Sequence, residues 1–305
     1  MSSRTSDLVV VSGDWHLGEH DSNGIGALFR VVQSLRPRLL VLNGDILDCS
    51  ELHKSVLGKR QALVNGRNPL HLYQEVIMAR MLLDFLVSLV PETKVVFLEG
   101  NHELRLGTVG KNQAPALFEL AATLPELLGL EELGIEWHPY SQPVELVPGW
   151  YLFHGTRTNI HACKSALEET CRSIVQGHSH RLKVFPKTDP DGRTIWGVEG
   201  GHLRNVAAAY TPLQRPNWQS GFVVLSPSPL GYVPHLIPVV KGTAIFPTSA
   251  VEPTPEWIAG MWQPIKQVLS LDAQRIIDAT VAGGLWDLVA NQARTGILPA
   301  HTRSR

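Results

Sequence analysis

The stretch Leu8-Val9-Val10-Val11-Ser12-Gly13-Asp14-Trp15-His16 decides how this chain is read. A short β-branched run stops at a glycine, and two side chains able to hold a cation follow at once. A continuous apolar run of this length suits a strand buried on both faces. The pattern then recurs. Leu39-Leu40-Val41-Leu42 runs into Asn43-Gly44-Asp45-Ile46-Leu47-Asp48, and Lys94-Val95-Val96-Phe97-Leu98 leads to Gly100-Asn101-His102-Glu103. Helical stretches over 25–35 and 70–89 separate the three. The order strand, helix, strand, helix, strand predicts an α/β sheet layered by helices.

Past Pro139 prolines and glycines become frequent, and short strands are expected at 144–147, 150–153, 173–176, 194–198, 221–225 and 235–240. They predict a second sheet facing the first, which makes a four-layer α/β/β/α sandwich over residues 1–245. Residues 246–305 carry no chemistry motif and read as a small C-terminal helical extension. Its helix is expected over 272–293, with a break at Gly283-Gly284.

Composition narrows the function classes. Of 305 residues, 44% are hydrophobic and 18% charged, and the net charge is −1. This argues against a disordered chain. A near-neutral balance also disfavours a general nucleic-acid binder. The tail has as many acidic as basic residues and forms no basic patch. Cys49, Cys163 and Cys171 form no CxxC pair, so neither a thiolate zinc site nor a disulfide framework is indicated. The apolar run at the start is too short for a signal-peptide core. Glu75, Arg80 and Asp84 interrupt the apolar segment 70–90, which reads as an amphipathic buried helix and not a membrane span. The expectation is a soluble, cytoplasmic protein with no membrane partner. Thirteen histidines are the unusual count.

Two more clusters contain histidine: Phe153-His154-Gly155 and Gly177-His178-Ser179-His180. Ligands of open α/β sheets bind at the carboxyl ends of strands, so five clusters at strand ends are positioned to converge. The candidate metal ligands are Asp14, His16, Asp45, Asn101, His154, His178 and His180. Taken singly, each is an ordinary turn residue or a hydrogen-bonded core histidine. Taken together, seven nitrogen and oxygen donors exceed what one ion needs and suit two ions sharing one carboxylate. The donor set admits Mn, Fe, Zn, Co or Ni, with Mn the first choice.

In this order the clusters resemble the calcineurin-like metallophosphoesterases. That family is marked by DxH, GDxxD, GNHE, a separate His and GHxH. The matching residues are Asp14-Trp15-His16, Gly44-Asp45-Ile46-Leu47-Asp48, Gly100-Asn101-His102-Glu103, His154 and Gly177-His178-Ser179-His180. Leu124–Leu130 and Pro216–Phe222 further resemble segments of a phage and prokaryotic branch.

The resemblance implies a dinuclear metal-dependent phosphoesterase, which cleaves phosphomonoesters or phosphodiesters with a hydroxide held between the ions. It places Asp14, His16 and His180 on the first ion and Asn101, His154 and His178 on the second, with Asp45 bridging. It implies that His102 is the general acid and that Asp48 orients it. Asn101 doubles as a substrate contact. Glu103 receives no direct role. Where phosphoprotein phosphatases carry an arginine after GDxxD, this chain has Cys49. Arg105 is the candidate to grip the phosphate instead.

The expected partner is a phosphate ester, with nucleic acid entering only as substrate. The alternatives are a metal-dependent DNA exonuclease or endonuclease of the DNA-repair type, and a non-catalytic scaffold. Around the motifs, Lys54, Lys59, Arg60 and Arg67 mark an insertion over 49–69 that folds over the site or is simply solvated. Arg157, Lys164, Arg181 and Lys183 suggest a basic rim. Trp15 either stacks on a base or packs in the core, and packing is the expectation, as for Trp196 and Trp218.

Overall fold

The computed structural model describes residues 6–52, 72–113, 123–140, 142–206, 216–247 and 249–270. The 54–67 basic insertion and the 272–293 helix lie outside them. The chain divides into two compact units, Met1–Glu252 and Pro253–Arg305.

The first unit begins with β1 (Ser6–Ser12), α1 (Ser22–Leu35), β2 (Pro37–Asn43), α2 (Leu72–Leu89), β3 (Lys94–Leu98), α3 (Leu104–Gln113), α4 (Leu124–Leu128) and β4 (Glu136–His138). There follow β5 (Val144–Val147), β6 (Trp150–Phe153), α5 (Ala162–Thr170), β7 (Ser173–Gln176), β8 (Leu182–Thr188) and β9 (Thr194–Gly200). It closes with β10 (Gly221–Ser228), β11 (Gly231–Val240), β12 (Thr243–Ile245) and β13 (Ala250–Val251).

Two sheets result. The larger runs β13-β12-β11-β10-β1-β2-β3-β4, and the smaller runs β5-β6-β7-β9-β8. β1 to β4 are mutually parallel, as are β6, β7 and β9; β10 is antiparallel to β1. Alternation along each strand explains the layering. Val9, Val11, Leu39, Val41, Val96 and Leu98 meet Val147, Trp150, Leu152, Val175 and Val198 in one core between the sheets. The intervening Val10, Leu40, Leu42, Val95 and Phe97 are buried too, which is why these strands read as continuous apolar runs. Each such side chain contributes about 1.5–3 kcal/mol relative to exposure.

Helices cover the outer faces. α1 packs on β1, β11 and β12, and Phe29 of α1 stacks on Phe85 of α2 with centroids 6.2 Å apart. On the small sheet, Cys163, Ala166 and Leu167 of α5 pack on Ile174, Tyr151 and Ile195. Local signals set the helix ends. Asp21 caps α1 by accepting from the Asn23 N–H at 3.0 Å. Thr123 and Glu126 form a capping box on α4, and Gly129 ends that helix in the left-handed region. Trp15 is fully buried, 5.8 Å from the Phe29 ring, so its role is packing.

In the second unit the described residues form α6 (Pro255–Leu269). Thr254 caps it, accepting from the Trp257 N–H at 3.2 Å. Among the described residues no helix is long and apolar enough to cross a membrane.

Candidate metal centre

Every proposed ligand stands just past the carboxyl end of a parallel strand. Asp14 and His16 follow β1, Asp45 follows β2, Asn101 follows β3, His154 follows β6, and His178 and His180 follow β7. Because β1, β2 and β3 are neighbours in one sheet, and β6 and β7 in the other, face-to-face stacking brings both sets of loops to one edge.

The loops turn unusually sharply. Asp14, His16, Asp45, Cys49, His178 and His180 all have φ between 45° and 65°. Non-glycine residues rarely adopt this left-handed conformation, and it costs about 1–3 kcal/mol each. Gly44 (φ 75°) shows the crowding directly, since a Cβ there would lie 2.6 Å from His154 Nδ1. At Gly177 a Cβ would lie 2.5 Å from Asp14 Oδ2.

Two clusters form. In the first, His180 Nε2 lies 3.1 Å from Asp14 Oδ1 and 3.0 Å from His16 Nε2. In the second, His154 Nε2 lies 3.1 Å from both Asp45 Oδ2 and Asn101 Oδ1, with the His178 ring 5.4 Å from that of His154. Asp45 Oδ2 is also 4.0 Å from His16 Nε2, so this carboxylate stands between the clusters. Asp14-His16-His180 and Asp45-His154-His178 each place one donor atom apiece within 4.8 Å of one another, as does His16-Asp45-His102.

The donor set fits divalent cations on a specific ground. His154 Nδ1 is 2.8 Å from the Asn43 carbonyl and therefore donates to it. In the neutral imidazole that leaves Nε2 as a lone pair facing two further acceptors. His16 Nδ1 is likewise committed to Asp48 Oδ1 at 2.8 Å, which aims its Nε2 lone pair at another imidazole. Such convergence of acceptors needs positive charge at its centre.

The titration behaviour reflects the same need. Burial pushes the His154 pKa down, but the Asp45 and Asp14 carboxylates overcome it and raise the value to about 10. His16 rises to about 9, burial again being outweighed by its bonds to Asp14 and Asp48. Asp14 is held low: burial opposes ionisation, but the His154 and His180 charges prevail. Asp45 is held low in the same way, with His154 and His102 prevailing over burial. Among the described residues every ion-pair partner of Asp14 and Asp45 is an imidazole. No thiolate takes part. Cys49 is buried, and its thiol is pushed up by burial and by Glu75.

Other expected residues lie close by, with altered connections. His102 Nε2 is 3.7 Å from Asp45 Oδ2. Its Nδ1 meets the Asp48 backbone carbonyl at 2.6 Å, while the Asp48 carboxylate is 3.5 Å away. The carboxylate instead holds His16, so in this structure Asp48 bonds His16 with its side chain and His102 with its main chain. Arg105 Nη1 donates to that same carbonyl at 3.0 Å. Of the expected basic rim, Arg157 pairs with Glu169 at 2.7 Å. Arg181 bonds Glu199 at 2.8 Å, and Lys183 donates to the Ile160 carbonyl at 2.9 Å.

Sequence reasoning missed three residues. Glu103 is buried and accepts the backbone N–H groups of Asp45, Leu47 and Gly100 at 2.9–3.0 Å. Glu199 is buried on β9 and accepts from Ser179 Oγ at 2.6 Å and Arg181 Nε at 2.8 Å. Arg204 lies 3.8 Å from Asp48 Oδ1. Only the E of GNHE carried any signal in the sequence, since it abuts the ligand Asn101.

The chain is similar to the Gene 54 proteins of Mycobacterium phage L5 and Mycobacterium phage D29, at 26% and 27% identity over 250 residues. Each alignment covers 78% of this chain and 95% of the relative. Among solved structures, Vps29 of Chaetomium thermophilum matches with a TM-score of 0.40 at 14% identity, over 81% of this chain and 96% of its own. The family model for calcineurin-like phosphoesterases matches residues 8–226, a span that includes the whole smaller sheet and every loop of the centre. This chain belongs to the calcineurin-like phosphoesterase family.

Proposed function

We propose that the protein hydrolyses phosphate esters with two divalent metal ions, the first held by Asp14, His16 and His180 and the second by Asn101, His154 and His178, with Asp45 shared. The observation that carries this reading is the pair of acceptor clusters meeting at Asp45 Oδ2, 3.1 Å from His154 and 4.0 Å from His16. Bound divalent cations supply Lewis-acid charge to a phosphoryl group and acidify water. The protein's own groups do the rest. Asp48 fixes the His16 ring and the Asn43 carbonyl fixes His154, so both imidazoles present Nε2 without rotating. The Asp48 carbonyl fixes His102, leaving its Nε2 beside Asp45 at the mouth of the centre.

His102 has its pKa pushed down to about 3, by burial first, with His16 and Arg105 adding to it against the pull of Asp45. At neutral pH Nε2 is therefore an acceptor. In our reading the ring takes up a proton from solvent when substrate binds, because a phosphate dianion beside it favours the protonated form, which then gives that proton to the leaving alkoxide.

The test strips the protein with chelator, reloads it with Mn and other divalent ions, and assays p-nitrophenyl phosphate, bis-p-nitrophenyl phosphate and single-stranded DNA in parallel. Ester turnover that depends on about two equivalents of metal is expected. DNA cleavage far faster than ester cleavage would assign the site to a nuclease. Metal binding without any turnover would leave a scaffold. His102→Ala should keep its metal and lose roughly 10²- to 10⁴-fold in rate; metal loss in that variant would contradict its role as acid.

A further inference from the structure

The phosphate-binding arginine expected after GDxxD is absent, and Cys49, which replaces it, is buried with its thiol protonated. Arg105 is an incomplete substitute, because its Nη1 is occupied by the Asp48 carbonyl. The segment after β9 brings a second guanidinium to the same place. Arg204 Nη1 lies 3.8 Å from Asp48 Oδ1, the oxygen that holds His16 at 2.8 Å and stands 3.5 Å from His102 Nδ1.

The backbone of this segment is pinned. Arg204 N–H donates to His202 Nδ1 at 3.0 Å, and Asn205 N–H donates to the Glu19 carbonyl at 2.7 Å. Arg204 also forms a bridge with His20, in the loop that follows His16. His202 is fully buried, and its Nδ1 accepts the Arg204 N–H. It acts as a fixed acceptor for the turn.

The head group, by contrast, is unfilled. The side chain is only 12% exposed, and Nε is buried with no hydrogen-bond partner. A guanidinium has five N–H donors in a planar fork. Among the described residues this one makes no hydrogen bond, and its ion pair with Asp48 is beyond hydrogen-bond distance. Burying such a cation without acceptors is costly. A purely structural arginine would have its donors filled, as Arg181 does on Glu199, Thr158 and Asn159. Arg204 has a fixed backbone and a free fork beside the proposed acid.

We propose that Arg204 is the phosphate-gripping residue of this site, its fork taking two nonbridging oxygens of a phosphate ester and replacing the arginine that Cys49 displaces. The inference rests on the phosphoesterase reading above. A monoester has three nonbridging oxygens and a diester two, so with one oxygen turned to the metal centre only the monoester leaves two for the fork, and monoesters should depend on Arg204 more than diesters.

The experiment compares wild type, Arg204→Ala and Arg204→Lys, all Mn-loaded, with metal content measured alongside. Inorganic phosphate is titrated calorimetrically, and KM and kcat are determined for p-nitrophenyl phosphate. Arg204→Ala should weaken phosphate binding and raise KM by about 10- to 100-fold with metal content unchanged. Arg204→Lys should fall between, since it keeps the charge and loses the fork. Added guanidinium should restore part of the phosphate binding of Arg204→Ala, which a folding defect would not allow. Phosphate affinity within twofold of wild type in both variants overturns the proposal while wild-type turnover leaves the phosphoesterase reading standing. Weakened phosphate binding in Arg204→Ala, with a wild type that turns over no ester, keeps the arginine and removes the hydrolase. A metal-loaded wild type that binds no phosphate removes both.

Discussion

The two sheets hold their halves of the centre by different chemistry. On the large-sheet side the tie is Glu103, a fully buried carboxylate whose three partners are all backbone N–H groups. On the small-sheet side it is Glu199, equally buried, which grips the Ser179 hydroxyl and the Arg181 guanidinium. A main-chain tie leaves the loop's side chains free for other work. A side-chain tie must be carried by the loop itself, and here Ser179 and Arg181 alternate with the proposed ligands His178 and His180. The difference extends to charge. Glu199 has a cationic partner. Among the described residues Glu103 forms no ion pair, and burial with the nearby Asp45 raises its pKa to about 7 against its backbone bonds and the His154 charge.

The largest effect should come from cutting the main-chain tie. Glu103→Ala leaves three buried amides without an acceptor, at about 1–3 kcal/mol each. We expect a loss on the order of 4 kcal/mol in urea unfolding. A loss below about 1 kcal/mol would show that water replaces the carboxylate and that the tie is not needed.

Next, Glu199→Gln should cost about 3 kcal/mol by leaving the Arg181 guanidinium without its counter-ion. The sharper version is a double-mutant cycle. Adding Arg181→Met should recover much of that loss, because both charges are then gone. Strictly additive losses would mean that the two residues are not coupled.

The smallest effect concerns pH. Glu75 of α2 is a second amide-bonded carboxylate on the large-sheet side, accepting from the Cys49 N–H at 2.7 Å. Burial raises its pKa to about 8, against the bond to Cys49 and with help from Asp48. The folded protein therefore holds a proton there between about 4.5 and about 8 that the unfolded chain releases. The fold binds more protons in that window, so this contribution to stability falls as pH rises through it. Glu75→Gln should lessen the decline by roughly 1 kcal/mol between pH 6 and pH 7. Identical pH slopes for the two proteins would remove Glu75 as the source.

What the sequence reveals follows the same division. The strands that carry ligands are legible because both faces are buried and each ends in glycine. β8 escaped notice because Leu182 to Thr188 mixes Val184 and Phe185 with two lysines and a proline, as strands at a sheet edge do. α5 escaped because only Ala162, Cys163, Ala166 and Leu167 are buried in a mostly polar segment. The ligand motifs announce themselves by spacing, whereas the residues that support them do not. A glutamate inside Thr194–Gly200 looks like any solvent-facing strand residue until Ser179 and Arg181, some 20 positions earlier, are seen to close on it. The Asp48 carboxylate was expected at His102 and holds His16 instead, a choice made by loop geometry alone.

The pairing of β1 with β10 also sets a timetable. β1 ends at Ser12 and its antiparallel neighbour begins at Gly221, more than 200 residues later. At ordinary synthesis rates of roughly 5–20 residues per second, that interval is about 10–40 s. Through it, the strand that bears Asp14 and His16 waits with one edge unpaired and exposed to other nascent strands. His154, His178 and His180 are made before that edge closes. All the proposed ligands are thus in the chain while β1 still lacks its second neighbour.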